Sequence, residues 1–362
     1  MHLGRFGSMI DTSFWYKKKV FITGHTGFKG TWLTLWLASL GADVSGYSFH
    51  PPSSPNLFEL TQATTECKSI KGDITHFPSL LQAIKDYKPE IIFHLAAQPL
   101  VQTSYKNPID TFKTNVLGTV HLLEAAKNVQ SVHVIINVTS DKCYENDGFG
   151  NHSFEENDRL GGHDPYSASK ACAELVTTSY QKSFFHLKDS SSPKLASVRA
   201  GNVIGGGDWA EDRLFPDMVR AYINSNKLSI RNPNAIRPWQ HVLDPLHGYL
   251  LLAEKIWKTP KYAAAWNFGP VNQPHMTVNE FVNMTMKLWN KKLEIISPTD
   301  SSPYESSVLT LDSNKSMKEL GWVPKLSTKE SISWTVEWYQ KYVNEEDIAS
   351  FTRKQIDTFK TI

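Results

Sequence analysis

The 362-residue chain has few cysteines, no excess of one charge and no long apolar run. Cys67, Cys143 and Cys172 form no closely spaced pair, which sets aside a disulfide framework and a cysteine-based zinc site and fits a reducing cytoplasm. No metal is expected. With 38 basic against 36 acidic side chains the formal charge is +2, too little to hold nucleic acid by its field. The basic run Lys17-Lys18-Lys19 reads as a solvated lead-in to the first strand. No stretch approaches the ~20 apolar residues of a membrane span, and the amino terminus lacks the apolar core of a signal peptide. Neither nucleic acid nor a membrane is therefore expected as a partner. Disorder is set aside by an apolar share of 40% and by 11 Trp, 13 Tyr and 18 Phe.

What is present is organised around Thr23-Gly24-His25-Thr26-Gly27-Phe28-Lys29-Gly30. This stretch follows the apolar run Val20-Phe21-Ile22 and precedes an apolar helical pattern from Thr31 to Leu37. Glycines at 24, 27 and 30 suit a sharp turn with close backbone approach, and the helix that follows points amides and the positive end of its dipole at that turn. A dinucleotide pyrophosphate is the natural occupant. The chain then alternates strands and helices, with strands at Asp43 to Tyr47, Ser69 to Asp73, Ile91 to Gln98, Val132 to Val138 and Lys194 to Arg199. The length fits one large α/β domain plus a smaller lobe. Residues 19–200 read as a doubly wound, Rossmann-type dinucleotide domain, and 201–345 mainly as a mixed α/β substrate lobe with some return to the first domain. Residues 1–18 form an extension, of which Met1 to Ser8 are left out of the fold argument, and 346–362 form a tail.

The acidic residue that commonly holds the adenosine ribose is missing, and Tyr47 and Ser48 stand in its place. NAD or NADP thus stays open, with Lys29 available to a 2′-phosphate. Asp73, followed by Ile74, offers a carboxylate to adenine or else caps the helix from Phe77 to Tyr87. Leu95-Ala96-Ala97 lets the backbone pass close to a cofactor. Ligands of parallel sheets bind beyond the carboxyl ends of the strands, which draws attention to Thr139-Ser140-Asp141-Lys142. Tyr166 and Lys170, four apart on a helix, share one face, where a lysine and a cationic nicotinamide would lower the phenol's pKa.

With these pieces in place the chain resembles the extended short-chain dehydrogenase/reductase superfamily from about Lys19 to Tyr342. Its longer motifs resemble the nucleotide-sugar 4,6-dehydratases that act on CDP-D-glucose. These are the glycine turn, Pro51 to Leu60, Thr139 to Glu145, Gly161 to Ser167, Ala200 to Trp209 and Arg237 to Asp244. The resemblance implies about seven parallel strands, a homodimer or tetramer, and a tightly held NAD recycled in each turnover. It also implies a lyase of deoxysugar biosynthesis of the lipopolysaccharide O-antigen kind. Tyr166 would take the 4-hydroxyl proton, Lys170 would hold the nicotinamide ribose, and Ser140 would bond O4. Asp141 would then protonate the C6 hydroxyl as water leaves, Lys142 would take the C5 proton, and hydride would return to C6. Lys142 as a mere salt-bridge partner of Asp141 stays an alternative, because a lysine accepts a proton only when neutral.

Substrate contacts carried over by the resemblance are Gln98, Ser104, Asn202, Arg213, Arg237, His241 and Tyr304. A purely structural role for His241 remains open, and Trp239 is either packing or a stacking surface. The alternative activity is another nucleotide-sugar 4-epimerase or dehydratase, and a more remote one is a non-catalytic NAD-binding regulatory protein. An epimerase has no use for an acid and base at C5 and C6, so the Asp141-Lys142 pair argues for elimination.

Overall fold

The computed structural model describes residues 7–147, 152–187, 189, 191–225, 227–271, 276–296 and 308–362. Seven strands build one parallel sheet: β1 Lys19–Thr23, β2 Asp43–Ser48, β3 Lys68–Lys71, β4 Ile91–His94, β5 Val134–Val138, β6 Lys194–Ala200 and β7 Ala265–Phe268. Their spatial order is β7-β6-β5-β4-β1-β2-β3, so the order reverses between β1 and β4. The register aligns Thr23 with both Tyr47 and His94.

Alternation along the strands explains the two layers of helices. Val20, Ile22, Phe93, Ile136 and Val198 face one hydrophobic layer, which also contains α1 (Phe28–Ser39). Phe21, Ile92, Ile135 and Leu195 face the other, with α2 (Phe77–Tyr87) and α3 (Gly118–Lys127). Both faces are covered, as a parallel sheet requires. A further helical stretch begins at Pro108 and passes through one wide turn at Lys113–Leu117 before α3. Wide turns of this kind commonly mark functional places. Here Asn115 is buried in it and donates to Ser169 Oγ on α4 (Pro165–Ser183) at 2.8 Å.

Beyond β6 the chain builds the smaller lobe: α5 Leu214–Arg220, α6 Leu243–Lys258, α7 Val278–Trp289 and α8 Thr328–Val343. Short strand pairs join it, including Gln240–His241 beside Val203–Ile204. Between α6 and α7 the chain returns to the sheet as β7, paired with β6. The carboxyl-terminal tail is a helix, α9 Ile348–Thr361, capped by Asp347 and burying Ile356 and Phe359, the latter edge-on to Trp36 at 5.5 Å. At the other end, Ser8 donates its amide to Gly321 at 2.8 Å, and Trp15 is fully buried with its indole on Glu254 at 2.7 Å.

Candidate active site

The carboxyl ends of the central strands open into a cleft of about 1590 Å³. Its wall includes the glycine turn, Ser140 to Lys142, Tyr166, Lys170, Asn202, Arg213 and Arg237. Gly24 has φ +76°, and a methyl there would come within 2.7 Å of the Ala96 amide, so only glycine fits between β1 and β4. A methyl at Gly30 would stand 2.1 Å from the Gly24 carbonyl. Gly27 caps α1 with no side chain, and the first turn carries no acid, which leaves its amides and the positive helix end facing the cleft. That open cradle fits a dinucleotide pyrophosphate. Phe28, Ile74, Leu95, Ala96 and Ala97 continue the same wall.

The adenosine end is built differently from the common pattern. Tyr47 turns inward, its phenol donating to the Asp73 carbonyl at 3.2 Å over Gly72, where any side chain would strike its ring. His25 is fully buried, bonded to Ser48 Oγ at 2.9 Å and Ser69 Oγ at 2.7 Å, and its ring fills the space left by Gly46. Burial pushes its pKa down to about 4, so it is neutral. Its contribution to the cofactor site is to shape the turn. Asp73 lines the cleft while its carboxylate accepts from the Thr75 amide and hydroxyl, both at 2.8 Å; His76, not Asp73, caps α2. Lys29 lies away from this end. Burial first, then Arg213, pushes its pKa down to about 8, and Asp141, Lys170 and Asp208 act on it as well. That places its ammonium on the catalytic side of the cleft, out of place for a 2′-phosphate.

Ser140, two residues past the end of β5, caps a one-turn helix, Asp141–Cys143, by accepting from the Lys142 amide at 3.2 Å while donating to Asp141 Oδ1 at 2.9 Å. Asp141 is 3% exposed and burial raises its pKa; Lys142 is the strongest charge pulling it down. Its Oδ2 has no hydrogen-bond partner among the described residues. A buried carboxyl with a raised pKa and a vacant oxygen at a cleft suits proton donation.

Tyr166 and Lys170 stand one turn apart on α4, whose amino terminus is held by Asp164 accepting from the Ser167 amide at 2.9 Å. Lys170 Nζ reaches the Val138 carbonyl at 3.4 Å, and burial pushes its pKa down to about 8 against Cys143 and Glu174. The phenol behaves otherwise than the pairing implied. Burial pushes Tyr166 up to about 12, with Ser140 and Arg213 pulling it down and Asp141 pushing it up. Lys170 alone therefore does not acidify it.

On the substrate side, Asn202, Arg213 and Arg237 line the cleft, Arg213 bonded to Asp208 at 2.8 Å. Trp239 borders it but stacks on Phe281 at 4.3 Å, a packing role. Three further sequence candidates are turned elsewhere. Gln98 spends its amide on Leu100 and Thr111, folding back over the wide helical turn. Ser104 is fully buried and donates to the Val101 carbonyl at 2.7 Å. His241 is fully buried edge-on to Trp32 and Trp334, a structural histidine. Tyr304 lies outside the described residues.

Sequence reasoning missed the far wall formed by Leu214, Pro216, Asp217 and Arg220 of α5 and by Ser229 and Ile230. The signal was the Leu-Phe-Pro run directly after the strand-end motif. Among the described residues no cluster of three or more potential metal ligands occurs, and no helix is long and apolar enough to cross a membrane.

A family model described as GDP-mannose 4,6 dehydratase matches residues 21–335. The chain is 45% identical over 354 residues to the CDP-glucose 4,6-dehydratase of Salmonella typhimurium, covering 97% of this chain and 98% of that relative. It is 26% identical over 348 residues to the human dTDP-D-glucose 4,6-dehydratase, covering 90% and 91%. Among solved structures, the Streptomyces venezuelae dTDP-glucose 4,6-dehydratase DesIV with NAD and TYD bound superposes with TM-score 0.76 at 21% identity, over 90% of this chain and 98% of that one. The epimerase Mth375 of Methanothermobacter thermautotrophicus gives 0.80 at 23% identity, over 92% and 95%. These two share the fold.

Proposed function

This chain belongs to the GDP-mannose 4,6 dehydratase family, and from that premise we propose that it is a hydro-lyase converting CDP-D-glucose to CDP-4-keto-6-deoxy-D-glucose. One observation carries the reading beyond the fold. A single cleft holds the glycine cradle, the Tyr166/Lys170 face of α4 and the buried Asp141 carboxyl with its vacant oxygen. When bound, NAD supplies a reversible two-electron oxidation of the sugar, withdrawing hydrogen at C4 and restoring it at C6, so that no net oxidation results.

The chain's own groups do the rest. Tyr166 takes the O4 proton, while Ser140 donates to O4 as its charge changes. Lys170, charged below its pKa of about 8, would hold the nicotinamide ribose. The C4 ketone acidifies C5. Lys142, in its neutral amine form, takes that proton as the C6–O bond breaks, and Asp141 gives its proton to the departing hydroxyl, which leaves as water. Asn202, Arg213 and Arg237 hold the diphosphate, the arginines by paired donors.

Exposed Ile109, Phe112 and Leu117, beside Leu175 on the contacting α4, support a homodimer across these helices, which sedimentation will test. For the activity, the protein is incubated with CDP-glucose and the alkali-induced chromophore of a 4-keto-6-deoxy sugar is read. Its appearance supports the assignment; silence with CDP-glucose together with turnover of UDP-glucose overturns it.

A further inference from the structure

The general acid and base of the elimination sit on a single helical turn, which by itself is a weak support. Oxidation relies on Tyr166 and Lys170, fixed within the long α4, whereas Asp141 and Lys142 depend on what anchors the turn at its exit. Tyr144 follows Lys142 by two residues and is 2% exposed. Its phenol accepts from Arg199 Nη1 at 2.7 Å and donates to Asn267 Oδ1 at 2.7 Å, and its ring stacks on Phe154 at 4.9 Å. Burial pushes the phenol well above its ordinary range, so it stays a neutral donor.

The anchor is itself fixed. Arg199, on β6, gives Nε and Nη2 to Glu174 at 2.9 and 2.8 Å, and Nη1 also to the Glu156 carbonyl at 3.0 Å. Glu174, which burial would raise, is held below the usual carboxylate range by Arg199. It also accepts from Ser197 Oγ at 2.7 Å and from Thr139 Oγ1, directly before the catalytic turn. Asn267, at the end of β7, donates its amide to the Phe154 carbonyl at 2.8 Å. Glu174 lies one turn beyond Lys170 on α4. A buried, fully paired frame therefore ties the helix that carries the oxidation groups to the turn that carries the elimination groups, with Tyr144 as the link.

We propose that Tyr144 is a positioning residue for the elimination half of the reaction, holding the Asp141-Lys142 turn in register with Tyr166 and Lys170 through the Glu174–Arg199 pair. The inference rests on the dehydratase reading above. A displacement of about 1 Å in such a turn costs up to roughly a hundredfold in rate. The loss would fall on C5/C6 dehydration, since Tyr166 and Lys170, which act at C4, are held by α4, and Ser140 stands at the entry of the turn rather than at its exit.

The test is Tyr144→Phe in the full chain, which keeps the ring on Phe154 and removes only the hydroxyl. Expected are a melting temperature close to that of the unmodified protein, an unchanged KM for CDP-glucose and a kcat lowered by about ten- to a hundredfold. The near-ultraviolet absorbance of reduced dinucleotide should also build up when substrate is added, because oxidation continues while elimination lags. A merely structural defect would not leave the cofactor reduced. Asn267→Ala, which removes the acceptor from the other side, should give the same signature and serves if the first variant does not fold. A folded Tyr144→Phe with the unmodified kcat, or with oxidation and elimination slowed alike, overturns the proposal. An unmodified protein inert toward CDP-glucose overturns both this proposal and the reading it rests on.

Discussion

Replacing Gly30 by alanine strikes the cradle where it is tightest. The new methyl would meet the Gly24 carbonyl oxygen at 2.1 Å and His25 Cα at 2.8 Å, both backbone, whereas ordinary contact begins at 3.4 Å. The difference, 3.4 − 2.1, leaves about 1.3 Å to be found by moving main chain, and overpacking of this kind costs about 1–3 kcal/mol. In a chain of 362 residues each kcal/mol lowers the melting temperature by roughly 1–2 °C. The same movement tilts the α1 amides away from the anion. A lost bond to a charged group is worth about 1.5–3 kcal/mol, so dinucleotide affinity should fall about tenfold or more.

Gly27→Ala supplies the contrast. Its backbone, at φ −77°, accepts alanine, and the methyl would meet only the Gly24 carbonyl oxygen, at 3.3 Å, while standing in the cleft. Affinity should drop with the melting temperature kept. Thermal unfolding without added dinucleotide, beside calorimetric titration of NAD into stripped protein, separates the two. A Gly30→Ala protein with unmodified stability and affinity would refute the reasoning, as would a Gly27→Ala protein that melts early but binds normally.

Three further outcomes are expected. Tyr166→Phe should abolish turnover while the purified protein still carries its dinucleotide; measurable turnover contradicts the assigned base. Asp141→Asn should slow elimination by about 10²–10⁴-fold, the usual worth of a positioned acid, with substrate oxidation persisting as reduced dinucleotide in the absorbance spectrum. Burial pushes Asp244 up to about 7 against the Lys325 and Leu326 backbone bonds, well above its unfolded value of about 3.9. The stability this carboxyl contributes is therefore whole below the unfolded value and lost as pH rises through about 7. The melting temperature of the unmodified protein relative to Asp244→Asn should accordingly decline between about pH 4 and pH 7 and level off above, and a flat difference refutes the shift.

What the sequence disclosed and what it hid divide along a physical line. The glycine turn, the strand ends and the Tyr166/Lys170 spacing are set by local backbone geometry, so residues a few positions apart announce them. Gln98 was misplaced because its direction depends on the wide turn at Lys113–Leu117 and on Asn115, which no local pattern marks, and Ser104 because its hydroxyl turns back onto the Val101 carbonyl. Lys29 was sent to the wrong end of the cofactor because its neighbours, Asp141, Lys170, Asp208 and Arg213, come from distant segments. The Tyr166 phenol shows the same limit. Spacing gave the partner, but the depth of burial decides the sign of the shift. His241 and the helix at 348–361 turned on tertiary packing, since aromatic neighbours rather than polarity determine where each lies.

The late return of the chain to its sheet has a consequence for how the molecule tolerates cutting. Because β7 is donated only after α5 and α6 have been traced, that first part of the smaller lobe is an excursion pinned at both ends, from Ala200 to Ala265. A fragment ending before residue 265 would leave β6 as a bare margin, its unpaired amides and carbonyls along Lys194–Ala200 inviting any other extended strand to attach. Dissection of the two halves should then yield aggregates, whereas cleavage within the excursion leaves the margin covered.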